Sequence, residues 1–221
     1  MTLVDPRTLD LGSLAHFSPI PVTLLPDKVV PINEVGEPLE PAGVTTQPVY
    51  FEDGWGGALR LLYVRRSIND RLRAAERTLP EGFALTLLDG WRSTELQLAL
   101  HDHYAERGTP AGYVSDPKSD PYVAPHTTGG AVDITLSWKG TSLAIGTDFD
   151  VFNNTAWSTA LENDLGAEPN RSLRRLLTSV LVAQGFVPYP MEWWHFSHGD
   201  QIWAFNHGLS SALYGPTHPP P

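Results

Sequence analysis

The sequence predicts an α+β fold: a single domain built on a mainly antiparallel sheet flanked by helices. Three observations lead to that expectation. Some segments repeat apolar residues at helical spacing, others alternate them, and no regular strand-helix-strand rhythm links the two kinds. Apolar residues make up 41% of the 221 and aromatics 10%, with seven Trp, enough to fill one packed core.

The first 50 residues carry Pro6, Pro19, Pro21, Pro26, Pro31, Pro38, Pro41 and Pro48, which break any helix. They read as an extended N-terminal arm packed on the domain. Glycines 54, 56 and 57 around Trp55 mark a turn. A helix is expected over Ser67 to Leu79, with Ser67 as its cap, Asp70 three residues on, and Ile68, Leu72, Ala75 and Leu79 along one face. Pro80 and Gly82 stop it. Phe83, Leu85 and Leu87 then alternate with Ala84, Thr86 and Leu88, a strand that runs into an Asp89-Gly90 turn and Arg92.

A second helix starts at Ser93 or Thr94, carries Leu96, Leu100 and Tyr104, and ends before Gly108 and Pro110. A loop rich in Pro, Asp and Ser follows as far as Pro125. In AVDITLSW (131–138), Val132, Ile134 and Leu136 share one face, and Asp133 and Thr135 the other. A third helix fits Ser172 to Gln184, its stripe formed by Leu173, Leu176, Leu177, Val180 and Leu181. EWWHFS reads as a closing strand and PTHPPP as a mobile tail, with no internal repeat. The division expected is arm 1–50, catalytic domain 51–213 and Pro-rich tail 214–221.

Fifteen basic against 25 acidic residues give a formal charge of −10 without any basic run, which argues against nucleic-acid or anionic-membrane partners. No window approaches the ~18 apolar residues of a membrane span, and the N-terminus has no signal-peptide pattern, so the expected location is the cytoplasm. Oligomeric state is not encoded in any recognisable pattern. Cysteine is absent, so a metal site must use His, Asp or Glu.

Polar groups gather near aromatics in DGWRST (89–94), PHTTGGAVDITL (125–136) and MEWWHFSH (191–198). Singly, each has a plain reading. A His beside Gly is usually a loop residue, Asp133 could face water from an edge strand, and His195 among Trp193, Trp194 and Phe196 could be a core histidine. Jointly, two His and one Asp suit a zinc ion with an open position, and a second carboxylate suits proton transfer. Glu192 is that carboxylate. It lies three residues from His195, so the two share a cleft only if the strand is broken between them, as Pro190 allows.

These residues resemble the zinc D-Ala-D-Ala dipeptidases of the vancomycin-resistance type. HTTGGAVD matches a pattern like SxHxxGxAxD, Glu192, Trp194 and His195 match ExWH, DGWR matches a DGYR-like turn, and IGTDFD matches MGxxFD. The resemblance implies one zinc per chain on His126, Asp133 and His195, Glu192 as catalytic base, Arg92 on the oxyanion, and Asp150 on the amino group of a small peptide substrate. The chain departs at Ala124, where the family has Ser two residues before the zinc His, a loss that implies a missing hydroxyl for the substrate carboxylate. The region VYFEDGWGG only loosely follows the family's aromatic stretch. Alternatives are a carboxypeptidase or cell-wall hydrolase with the same site, and a non-catalytic zinc-containing module, as the hedgehog signalling domain is similar to these peptidases. Glu192 and Arg92 argue against the last, since a structural site needs neither.

Overall fold

The computed structural model describes residues 3–220. Strands are β1 (Leu39–Pro41), β2 (Thr45–Thr46), β3 (Tyr63–Arg65), β4 (Phe83–Asp89), β5 (Ala131–Trp138), β6 (Thr141–Ser142), β7 (Val187–Pro188) and β8 (His195–Ser197). Helices are α1 (Val49–Glu52), α2 (Arg66–Glu76), α3 (Thr94–Glu106), α4 (Asn170–Val182) and α5 (Gln201–Asn206). The main sheet runs β2-β4-β5-β8-β7, with β6 folded onto the end of β5. Only β2 is parallel to its neighbour; the other pairs are antiparallel. The fold is thus α+β and mainly antiparallel, as the alternation of elements predicts.

Val132, Ile134 and Leu136 of β5 join Leu85 and Leu87 of β4 in the core, which α2 closes with Ile68, Leu72 and Ala75 and α4 with Leu173, Leu176 and Leu177. The arm contributes Leu3, Leu11 and Val44 to the same cluster. At the far end, Thr217 donates its N–H to Thr127 and its carbonyl accepts from the Trp91 indole. The Pro-rich segment therefore lies against the loop that carries Arg92.

Three expectations change. Ser67 does not cap α2: the helix starts one residue earlier, and Glu37 of the arm accepts from the Ser67 N–H at 2.6 Å. A carboxylate 30 residues upstream thus does the cap's work, which local spacing could not reveal. β5 is no edge strand, since β4 and β8 flank it and Asp133 is 2% exposed. The closing strand covers only His195–Ser197, while Met191 to Trp194 form a turn in which the His195 N–H reaches the Glu192 carbonyl. That turn is the break the spacing of Glu192 and His195 requires.

Candidate active site

Strand register brings the polar groups together. Asp133 pairs directly with Asp89 on one side and with His195 on the other, so three adjacent strands present one polar side chain each on the same face. For Asp89 this depends on a bulge. Leu87 faces Ile134, and by simple alternation Asp89 would follow Leu85 and Leu87 into the core. The register shift between Leu87 and Asp89 turns the carboxylate to the opposite side, beside Asp133.

His126 comes from a 3-10 turn, Pro125–Thr128, that precedes β5. Pro125 begins the turn, and Gly129 ends it at φ 72°, where a Cβ would also collide with Leu39. The hydroxyls of Thr127 and Thr128 bond back to the carbonyls of Ala124 and Pro125 and tighten it. His126 Nδ1 lies 2.8 Å from the Gly90 carbonyl and 3.6 Å from Asp89. A carbonyl can only accept, so Nδ1 carries the proton and Nε2 presents a lone pair.

That lone pair sits 3.3 Å from Asp133 Oδ1 and 3.1 Å from His195 Nδ1, which is itself 3.1 Å from Asp133 Oδ1. Asp133 Oδ1 can only accept, and His126 Nε2 does so in this tautomer, so a proton on His195 Nδ1 or a cation between the three atoms satisfies both. The separations also suit a small cation, since tetrahedral ligands at 2.0–2.1 Å from their ion stand about 3.3 Å apart. Burial opposes ionisation of Asp133, but the two imidazoles overcome it and hold its carboxyl below the ordinary range. The group could hold a metal, and its donors are one oxygen and two nitrogens.

Glu192 Oε2 lies 3.8 Å from His195 Nδ1, and Oε1 is buried without a hydrogen-bond partner among the described residues. Burial, then the charges of Asp133 and Asp150, push its carboxyl well above the usual value, with Arg92 offsetting part of the shift. Arg92 donates from Nε to Asp89 at 2.9 Å and from Nη1 to Gln97 at 2.9 Å. Its Nη2 also reaches Asp89 at 2.8 Å and makes longer contacts, 3.4 Å each, with Asp133 and Tyr50. Asp150 holds a left-handed φ of 58° and accepts from Tyr50 at 2.9 Å and Tyr104 at 3.0 Å. Burial first, then Asp133, push its carboxyl up to about 7.

All six residues singled out from the sequence thus line or border one cavity, along with Tyr113, Tyr122 and Tyr189. Its aromatic walls are tyrosines and Phe152, whereas Trp194 packs behind them on Phe149 and Phe152. The Trp walls expected around His195 are therefore corrected. Asp89, Tyr50 and Gln97 escaped the sequence reading. Asp89 looked like a turn residue, and Tyr50 lies in the loosely matching VYFEDGW, where its approach to Asp150 depends on folding.

A family model described as D-ala-D-ala dipeptidase matches residues 58–210. The chain belongs to the D-Ala-D-Ala dipeptidase family. It is a metallopeptidase, hence a hydrolase, of a metal-dependent family. A D-alanyl-D-alanine dipeptidase of Synechocystis is 28% identical over 83% of this chain and 91% of that protein. One from Enterococcus faecium is 27% identical over 59% of this chain and 69% of that protein. A solved LdcB LD-carboxypeptidase is 17% identical, covering 80% of this chain and 76% of its own with a TM-score of 0.43.

Within this family, the departure at Ala124 takes on a different meaning. Ala124 is the N-cap of the turn that carries His126 and lines a separate depression with Thr94, Lys118 and Pro216. Its side chain does not border the cavity. A Ser there would stand at the N-cap of the turn, where its hydroxyl can accept from the turn's first N–H groups.

Proposed function

We propose that this dipeptidase-family chain is a zinc dipeptidase that hydrolyses D-Ala-D-Ala, with its chemistry in residues 51–213 between the arm 1–50 and the tail 214–221. The observation that carries this reading is the convergence of two imidazoles, an ionised carboxylate and a second carboxylate with an unpartnered oxygen in one buried cavity. His126, Asp133 and His195 would hold the zinc, whose preference for mixed nitrogen and oxygen donors fits this set. When bound, the ion supplies Lewis acidity to water and to the scissile carbonyl.

The remaining steps belong to the protein. Glu192 accepts a proton from the attacking water and later delivers it to the leaving amine. Its free Oε1 and raised proton affinity suit both transfers. Arg92 is kept charged by Tyr50 and its carboxylate neighbours, and its guanidinium, held at the cavity by Asp89, faces the developing oxyanion. Asp150, ionised once an ammonium faces it, holds the substrate amine, and Tyr50 orients it.

The test combines metal analysis with a substrate panel. Protein purified without added metal should carry about one zinc per chain and cleave D-Ala-D-Ala in preference to L-Ala-L-Ala and to longer peptides. Zinc held equally well by Asp133→Ala would overturn the ligand set. Faster cleavage of longer peptides would favour the carboxypeptidase alternative.

A further inference from the structure

The loop between α3 and the His126 turn roofs the cavity, and other elements latch it down. Gln97 donates to the Ser115 carbonyl at 2.7 Å, and the Tyr189 hydroxyl donates to the Gly112 carbonyl. The Gln201 side chain accepts from the Val123 N–H at 2.8 Å and donates to the Pro121 carbonyl at 3.1 Å. The Trp157 indole donates to the Tyr113 hydroxyl at 2.9 Å. Apart from Tyr113, the latches use the loop's backbone, and two of its side chains on the cavity wall are paired, the Ser115 hydroxyl donating to that of Tyr122, whose own proton stays free.

Of the other groups around the cavity, Arg92 is held by Asp89 and Gln97, and His126 by the Gly90 carbonyl. Tyr50 donates to Asp150, Tyr189 to Gly112, and Gln97 to Ser115, while Asp150 and Glu192 offer only oxygens. Among the described residues, unspent hydroxyl protons therefore collect on the roof, at Tyr122 and at Tyr113, which only accepts from Trp157, and unspent acceptors at Asp150 and Glu192. α3 sets the distance between these two regions. Tyr104 bonds Asp150 and Gln97 bonds the Ser115 backbone, seven residues and so ~10 Å apart along one face of the helix. An extended dipeptide spans about 7 Å, which lets its ammonium and carboxylate meet side chains reaching in from both ends.

We propose that the Ser115 and Tyr122 hydroxyls receive the C-terminal carboxylate of the dipeptide. The proposal rests on the dipeptidase reading above. It makes the roof loop, and not residue 124, the feature that recognises a free C-terminus. It also makes the gap between Asp150 and the roof the limit on substrate length.

The test compares D-Ala-D-Ala with D-Ala-D-alaninamide, whose C-terminus is neutral, in wild type, Ser115→Ala, Tyr122→Phe and the double variant. Each substitution should raise KM for the free acid about tenfold with kcat little changed, as for a lost hydrogen bond to a charged group, and leave the amide unaffected. Equal losses on acid and amide would show that the hydroxyls only support the loop; no loss on either would place the carboxylate elsewhere. Calorimetric binding of both compounds to zinc-loaded Glu192→Gln separates this proposal from the function it rests on. If wild type binds but does not cleave the dipeptide, the hydrolytic reading fails, and weaker binding of the acid alone to the hydroxyl variants still supports the carboxylate site. Unchanged acid binding in the double variant overturns it.

Discussion

Arg92 and Arg174 are both buried, yet their surroundings differ in kind. Arg174 on α4 donates to the carbonyls of Ile145 at 2.8 Å, Trp157 at 2.8 Å and Thr155 at 3.0 Å, and its ion pairs include no carboxylate among the described residues. Burial alone pulls its pKa down, to about 9. Burial works against the charge of Arg92 too, but Tyr50, Asp89 and Asp133 outweigh it and hold the guanidinium charged. A cage of carbonyls engages all three guanidinium nitrogens and staples the segment 145–157, which includes Asp150. A cage of anions lets carboxylates sit together beside a cavity and keeps the guanidinium charged at its edge. Burial therefore does not distinguish the two arginines; the charge of their acceptors does.

The largest effect tests the anionic side of this contrast. Glu192→Gln should lower kcat by at least the ~10²-fold typical of a lost general base, while zinc content stays at wild-type level. Because Glu192 is a desolvated carboxyl with an unpartnered oxygen, the thermal midpoint should not fall. Turnover within a few-fold of wild type would remove Glu192 from the mechanism.

The two arginines should then show opposite phenotypes. Arg92→Met is expected to cost ~10²-fold or more in kcat, as for one lost oxyanion donor. Arg174→Met should cost about 3 kcal/mol in denaturant unfolding, since three buried carbonyls lose their donor, with kcat/KM of the folded protein within about tenfold of wild type. The distinction collapses if the folded Arg174 variant loses as much kcat as the Arg92 variant.

Asp150 sharpens the comparison further, because it sits at the boundary of the two regions. N-acetylation of D-Ala-D-Ala should lower kcat/KM about 10²-fold, and Asp150→Asn should shrink that ratio severalfold by removing the charge an ammonium would meet. Kinetics on both substrates read this out. If the ratio survives in Asp150→Asn, the amine is held elsewhere, and the exposed Asp148 is the next residue to exchange.

Local periodicity determined much of this protein. α3 begins at Thr94 under its Ser93 cap, and β5 spans Ala131–Trp138, both as patterning predicts, because capping and side-chain alternation act over a few residues. The candidate metal residues and Glu192 were legible for a related reason. Their chemistry demands particular residue types, and these stand at motif spacings. Tertiary structure decided the rest. The bulge that turns Asp89 toward Asp133, the arm's Glu37 serving as cap to α2, and the meeting of Tyr50 with Asp150 across 100 residues all depend on contacts that no local pattern encodes. The same holds for residue 124. Its sequence position suggests a missing substrate ligand, but as N-cap of the Pro125–Thr128 turn it lies beside Thr94, Lys118 and Pro216, outside the cavity lining.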